Sequence, residues 1–122
     1  MFLVFLGGGI GAGLRHLTNL GAARFFGAAF PLGTLGVNMV GSLAMGLVAA
    51  WFAGRTGASQ DMRLFLATGI LGGFTTFSAF SLDAALLWQR GDAVSAVIYV
   101  VGSVTGAILS LCAGLWLART LL

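Results

Sequence analysis

Four long apolar runs, cut by short polar connections, leave this chain few ways to fold. They cover about residues 2–20, 32–53, 62–89 and 93–121. About 20 apolar residues make one helical crossing of a bilayer. Hydrocarbon offers no water to a backbone, so a lone spanning segment must satisfy its own hydrogen bonds as a helix. The expected fold is all-α and membrane-integral: four transmembrane helices forming a single domain over residues 1–122. Each connection carries its own signals. Gly21–Pro31 holds Arg24 and the only proline. Gly54–Asp61 is polar, with Asp61 expected to cap the next helix. Arg90-Gly91-Asp92 reads as a tight turn in which Gly91 ends one helix and Asp92 caps another.

Charge narrows the function. Only 7% of residues are charged, against about 25% in a soluble domain. There is no Lys and no Glu; six Arg face three Asp, for a net charge of +3. The arginines stand mostly at segment ends, as loop charges do, and they form no cluster, so nucleic acid is not an expected partner. Cys112 is alone and offers no disulfide or metal framework. The start, MFLVFLGGG, lacks the basic region of a cleaved signal peptide. No nucleophile–base or metal-ligand constellation is suggested, and His16 has no second His to pair with. The expectation is not an enzyme.

The third run departs from a plain helix. Gly69–Asp83 reads GILGGFTTFSAFSLD. The Gly72-Gly73 pair lowers helix propensity by about 1 kcal/mol per residue, and the hydroxyls that follow compete for backbone groups. A break here would free carbonyls and N–H groups at membrane depth, where broken helices build ion sites. The same residues also fit a packing notch for a neighbouring helix. Phe77 and Phe80 share a face, and Ser78 and Ser81 repeat at the same interval. Core packing accounts for the phenyl volume but not for the interleaved hydroxyls.

Other polar residues within the runs carry two readings each. Asn38 either binds a neighbouring helix or faces a wet path. Tyr99 and Ser103, four apart, either line a pore or make structural hydrogen bonds. Arg15 either snorkels to the interface or draws anions to a pore mouth. Small residues recur at spacing four in Gly7 and Gly11, Gly9 and Gly13, Ser42 and Gly46, and Gly102, Gly106, Ser110 and Gly114. This predicts close helix packing, with the partner helix in the same chain or in another. Arg55, Arg63 and Arg119 fall on the side of the termini, and Arg24, Arg90 and arguably Arg15 on the other. Such a balance sets almost no orientation by the positive-inside rule. One fixed orientation and insertion both ways, giving an antiparallel dimer, fit the charges equally.

GGFTTFSAFS at Gly72–Ser81 resembles the signature of the Fluc (CrcB) fluoride channel family, usually GG-x-TTFSTFS. GGGIGAGLRH at Gly7–His16 and GTLGVNMVGSLAMG at Gly33–Gly46 are similar to the family's opening and second-span patterns, in order and spacing. Two departures stand out: Ala79 where Thr is frequent, removing a hydroxyl, and Asp83 where Glu is frequent, one methylene shorter. The resemblance implies a passive fluoride-selective channel of the cell (inner) membrane, exporting fluoride trapped as the ion after entry as HF. It implies an antiparallel, dual-topology homodimer with two pores. It implies a structural sodium ion at the dimer centre, held by the main-chain carbonyls of Gly72 and Thr75 of each chain. Phe77 and Phe80 match the family's pore phenylalanines. Asn38, Ser78, Ser81 and Ser103 would donate hydrogen bonds to the ion, with Tyr99 on the same path and Arg15 near the entrance. The alternative is a small four-span multidrug-type exporter coupled to protons, for which Asp83 is the only candidate carboxylate.

Overall fold

A computed structural model describes residues 1–54 and 59–121. Arg55 and much of the connection around it lie outside the described residues. Among the described residues every regular element is helical. Helix α1 covers Phe2–Phe26 and α2 Leu32–Ala53. The third run is divided: α3, Gln60–Arg63, passes into a π-helical stretch, Leu64–Leu71, then α4, Gly72–Phe74. Residues 75–77 are not helical, and α5 resumes over Ser78–Gln89. Helix α6 covers Ala93–Leu121. Among the described residues three segments are long and apolar enough to cross a membrane: Leu32–Ala53, Gln60–Gln89 and Ala93–Leu121. Helix α1 has the length, at 25 residues, but its second half is diluted by Arg15, His16, Thr18 and Asn19.

Three boundaries differ from the sequence expectation. Helix α1 runs past Leu20 through the helix-forming Ala22 and Ala23 and stops where Gly27 takes φ 78. Arg24 therefore sits in its last turn, where a cation complements the helix dipole, and not in a loop. Ser59, not Asp61, caps α3: its side chain accepts from Met62 N–H at 3.3 Å. The interruption of the third segment falls at the threonines. Gly72 and Gly73 remain helical, and the missing side chain of Gly73 lets the α1 backbone at Gly8 come close. The turn after α5 follows expectation. Gly91 takes φ 82, Asp92 N–H reaches back to Leu87 C=O at 3.1 Å, and the Asp92 carboxylate accepts from Ser95 N–H at 3.2 Å.

The glycines sort the helices into two close pairs within the chain. In one, α1 lies along the π-helical stretch. A Cβ on Gly7 would sit 2.7 Å from Phe65 C=O, one on Gly11 would strike Ile70 C=O, and one on Gly73 would strike Gly8 C=O. In the other, α2 and α6 touch at Gly46 and Gly114, where either Cβ would strike the opposing backbone. Contacts advance in the same direction along both members of each pair, so the helices run parallel, as small-residue crossings allow. Gly9, Gly13 and Gly102 have open space where a Cβ would be. The spacing-four stripes thus serve this chain at Gly7, Gly11, Gly46, Gly106 and Gly114 and leave other members unpartnered within it.

Candidate functional site

The break is built from three backbone decisions. Thr75 N–H and Thr75 Oγ1 both donate to Leu71 C=O, at 3.0 and 2.9 Å, which closes the first half of the segment. Thr75 then turns extended, with φ −83 and ψ 156, so the ladder cannot continue. Thr76 Oγ1 accepts from Ala79 N–H at 3.1 Å and caps α5. The spacing of a threonine three residues ahead of a helical N–H is the ordinary N-cap pattern. Thr76 was therefore legible as a cap, though it was not singled out in the sequence.

That leaves Thr76's own amide groups, and α2 supplies their partner. Asn38 Oδ1 accepts from Thr76 N–H at 2.8 Å, and Asn38 Nδ2 donates to Thr76 C=O at 2.9 Å. One side-chain amide replaces both missing ladder bonds, like a single residue of a neighbouring strand. Buried amide groups left without partners cost about 1–3 kcal/mol each. Asn38 thus answers the first of its two readings and keeps one amide hydrogen for the second. No backbone hydrogen bond among the described residues reaches the carbonyls of Gly72, Gly73, Phe74 or Thr75.

A groove of about 480 Å³ opens beside the break. Its wall includes Asn38, Gly72, Thr75, Phe77, Phe80 and Ser103. Phe77 is 77% exposed and Phe80 only 8%, their rings 5.5 Å apart at 53°. Ser103 is 5% exposed and its hydroxyl has no partner among the described residues. An orphaned buried hydroxyl is rare. Ala96 and Ala118, buried on the same helix, show what a core position uses instead.

The other expected path residues stand outside this wall. Ser81 Oγ donates its one proton to Phe77 C=O at 2.9 Å. Ser78 Oγ lies 3.4 Å from Thr76 Oγ1. Tyr99 is fully buried, its ring 5.2 Å from Phe80 and 5.6 Å from Phe30, and its hydroxyl donates to Asp83 Oδ2 at 3.2 Å. Tyr99 and Ser103, expected on one face, thus divide between an aromatic core and the groove. Arg15 is on α1, away from the groove wall.

Together these features define a small polytopic helical membrane protein with a partly polar groove at an interrupted helix. Residues 2–115 match the family described as CrcB-like protein, Camphor Resistance (CrcB), and the chain belongs to that family. It is 60% identical over 121 residues to a protein of Mesorhizobium japonicum named fluoride-specific ion channel FluC, covering 99% of this chain and 97% of that one. Proteins of the same name from Chelativorans and Rhodopseudomonas palustris are 58% and 59% identical, over 100% and 98% of this chain and 98% and 96% of theirs. The family is one of channels and not of enzymes.

Proposed function

We propose that this chain conducts fluoride passively and selectively across the cell's inner membrane, lowering cytoplasmic fluoride. The observation that carries the reading is the groove itself. An unpartnered buried hydroxyl at Ser103, a spare amide hydrogen on Asn38 and two phenyl rings converge where apolar packing would be expected. Hydroxyl and amide donors replace the water a small anion loses. A phenyl edge carries positive quadrupole potential, so it meets an anion without a fixed cation that would trap it. The relatives' name points to the same ion. The experiment is fluoride efflux from liposomes carrying the purified chain. Release driven by the fluoride gradient, and unchanged when protons are clamped by an ionophore, supports a channel. Release that needs a proton gradient supports the exporter with Asp83 as its coupling group.

The conducting unit is read as an antiparallel homodimer. The groove is open, and lipid cannot wall an ion path, because a bare ion in hydrocarbon costs tens of kcal/mol before relaxation. A second copy supplies the missing wall. Sodium fits the break in kind. No group of three His, Cys, Asp or Glu stands together among the described residues, whereas the carbonyls of Gly72 and Thr75 are free of backbone bonds and both residues line the groove. A hard cation prefers such oxygens, and it would supply fixed positive charge at the break. Exchange of sodium for potassium is expected to lower the dimer's melting temperature in detergent. Thr75→Ala, which keeps the backbone oxygen, is expected to retain that sensitivity.

A further inference from the structure

Behind the groove, Phe80 is continued by two more rings. Phe77, Phe80, Tyr99 and Phe30 follow one another at centroid distances of 5.5, 5.2 and 5.6 Å. The last ring belongs to none of the long helices. Phe30 sits in the connection 27–31 between α1 and α2, and packs its ring at 89° on Tyr99. This connection is held weakly by its own backbone. Gly27 N–H bonds Ala23 C=O, Leu32 N–H bonds Phe30 C=O, and Leu35 N–H bonds Pro31 C=O, all local. Its one hydrogen bond to a distant element among the described residues comes from Arg90, at the end of α5, which donates to Ala29 C=O at 2.7 Å. Ala29 is the residue before Phe30. A small cleft of about 90 Å³ lies between this connection and α5, with Asp83 and Arg90 on its wall.

We propose that Arg90 and Phe30 are positioning residues for the pore's aromatic wall. Arg90 latches the α1–α2 connection, and through Phe30 the latch holds Tyr99, with its hydroxyl on Asp83, against Phe80. The inference rests on the fluoride-channel reading, since it assigns these residues an effect on conduction. The geometry gives each link a reason. Tyr99 is held at its hydroxyl by Asp83, and its ring packs tilted against Phe80 and perpendicular to Phe30. Removing Phe30 leaves one side of a fully buried ring without packing. Removing Arg90 frees the strand of chain that carries Phe30. The bond is a single N–H to a carbonyl, not a bidentate fork, so a lysine ammonium can replace it.

The chain contains one tyrosine, so tyrosine labelled with ¹³C at the ring ζ carbon alone gives a single magnetic-resonance signal that reports Tyr99 directly. In the full-length protein, Arg90→Ala and Phe30→Leu are each expected to broaden or shift that signal and to slow fluoride efflux by about tenfold. Arg90→Lys is expected to restore both to near the unsubstituted chain. The double variant is expected to be no slower than Phe30→Leu alone, because the two act through one link. An unchanged tyrosine signal with unchanged efflux in either single variant overturns the latch, as do effects of the two substitutions that simply add. Should Arg90→Ala fail to fold, Phe30→Leu decides alone. Should the unsubstituted chain release no fluoride, the channel reading fails, and the tyrosine signal still decides the latch.

Discussion

Asn38 shows what one residue does here. Its amide is the only partner of both Thr76 backbone groups among the described residues, so its loss is structural before it is functional. Asn38→Leu leaves an N–H and a C=O unpaired at membrane depth, about 1–3 kcal/mol each. It is expected to lower the melting temperature in detergent and to abolish efflux. Asn38→Asp keeps an acceptor for Thr76 N–H but removes the donor and sets a negative charge on an anion path. It is expected to block efflux with a smaller loss of melting temperature, and an Asp variant that conducts normally removes Asn38 from the path. The phenylalanines divide in the same way. Phe80 is buried against Tyr99 and Phe77 is 77% exposed, so Phe77→Leu is the cleaner probe. It removes the ring quadrupole with little core loss and is expected to reduce efflux at least about tenfold while the chain elutes normally by size exclusion. Efflux within about twofold for both Phe77→Leu and Phe80→Leu, about 0.4 kcal/mol, returns them to packing. The sequence alone singled out these residues by type: a lone amide in an apolar run, rings interleaved with hydroxyls. It could not show that Asn38 is bonded 38 positions away, or that Ser81 spends its proton on Phe77. Those depend on where α2 lies against the break, which no local pattern encodes.

Among the elements, the third segment carries the most information and was the least completely legible. Its interruption was expected from the Gly and Thr pairs, yet only the threonines interrupt it. Gly73 lies against α1, where the close approach to the Gly8 backbone leaves no room for a side chain on Gly73. The π-helical turns over Leu64–Leu71 had no signal in the sequence. A wide turn often marks a functional segment, and here it sets the register at which Phe65 and Ile70 carbonyls meet Gly7 and Gly11. The same chemical change should therefore have opposite signs at two sites on α1. Gly11→Ala drives a methyl into the Ile70 carbonyl and Phe74 N–H, backbone atoms that cannot swing aside. It is expected to destabilise the chain, by roughly the 1–3 kcal/mol typical of overpacking. Gly21→Ala meets nothing within 4 Å and gains up to about 1 kcal/mol of helix propensity, so its melting temperature is expected to hold or rise. Equal behaviour of the two variants in a thermal melt would mean that α1 does not lie on the π-helical stretch as described.

For the whole molecule, the question is how an incomplete groove becomes a pore. Val104 and Ile108 of its wall are 47% and 59% exposed, beside Phe77, so the rim is apolar, and under the dimer proposal a second copy would cover it. The glycines without neighbours, Gly9, Gly13 and Gly102, mark further surface where a helix could come close. Which way the partner points is set by charge. Arg119 and Arg63 lie at the end where the chain terminates, and Arg24 and Arg90 at the other. Arg55, counted with the first pair from the sequence, lies outside the described residues, and Arg15 is midway along α1. An Arg/Lys bias orients a membrane protein, and by sequence the count is three against two, or three against three with Arg15, which is barely a bias. Both orientations are therefore expected in one membrane, and opposed copies would join their grooves about a twofold axis in the membrane plane. Replacing Cys112 with Ser and adding one cysteine after Leu122 makes the test clean. About half of the tags are expected to react with an impermeant maleimide from outside intact cells, a share set by the near-zero bias. Two lysines added beside the tag should drive most chains to one orientation and depress fluoride efflux. Co-expression with a copy biased the other way should restore it. Labelling from one side only in the unmodified balance, with efflux intact, would end the antiparallel reading and leave the groove to be closed by a parallel partner.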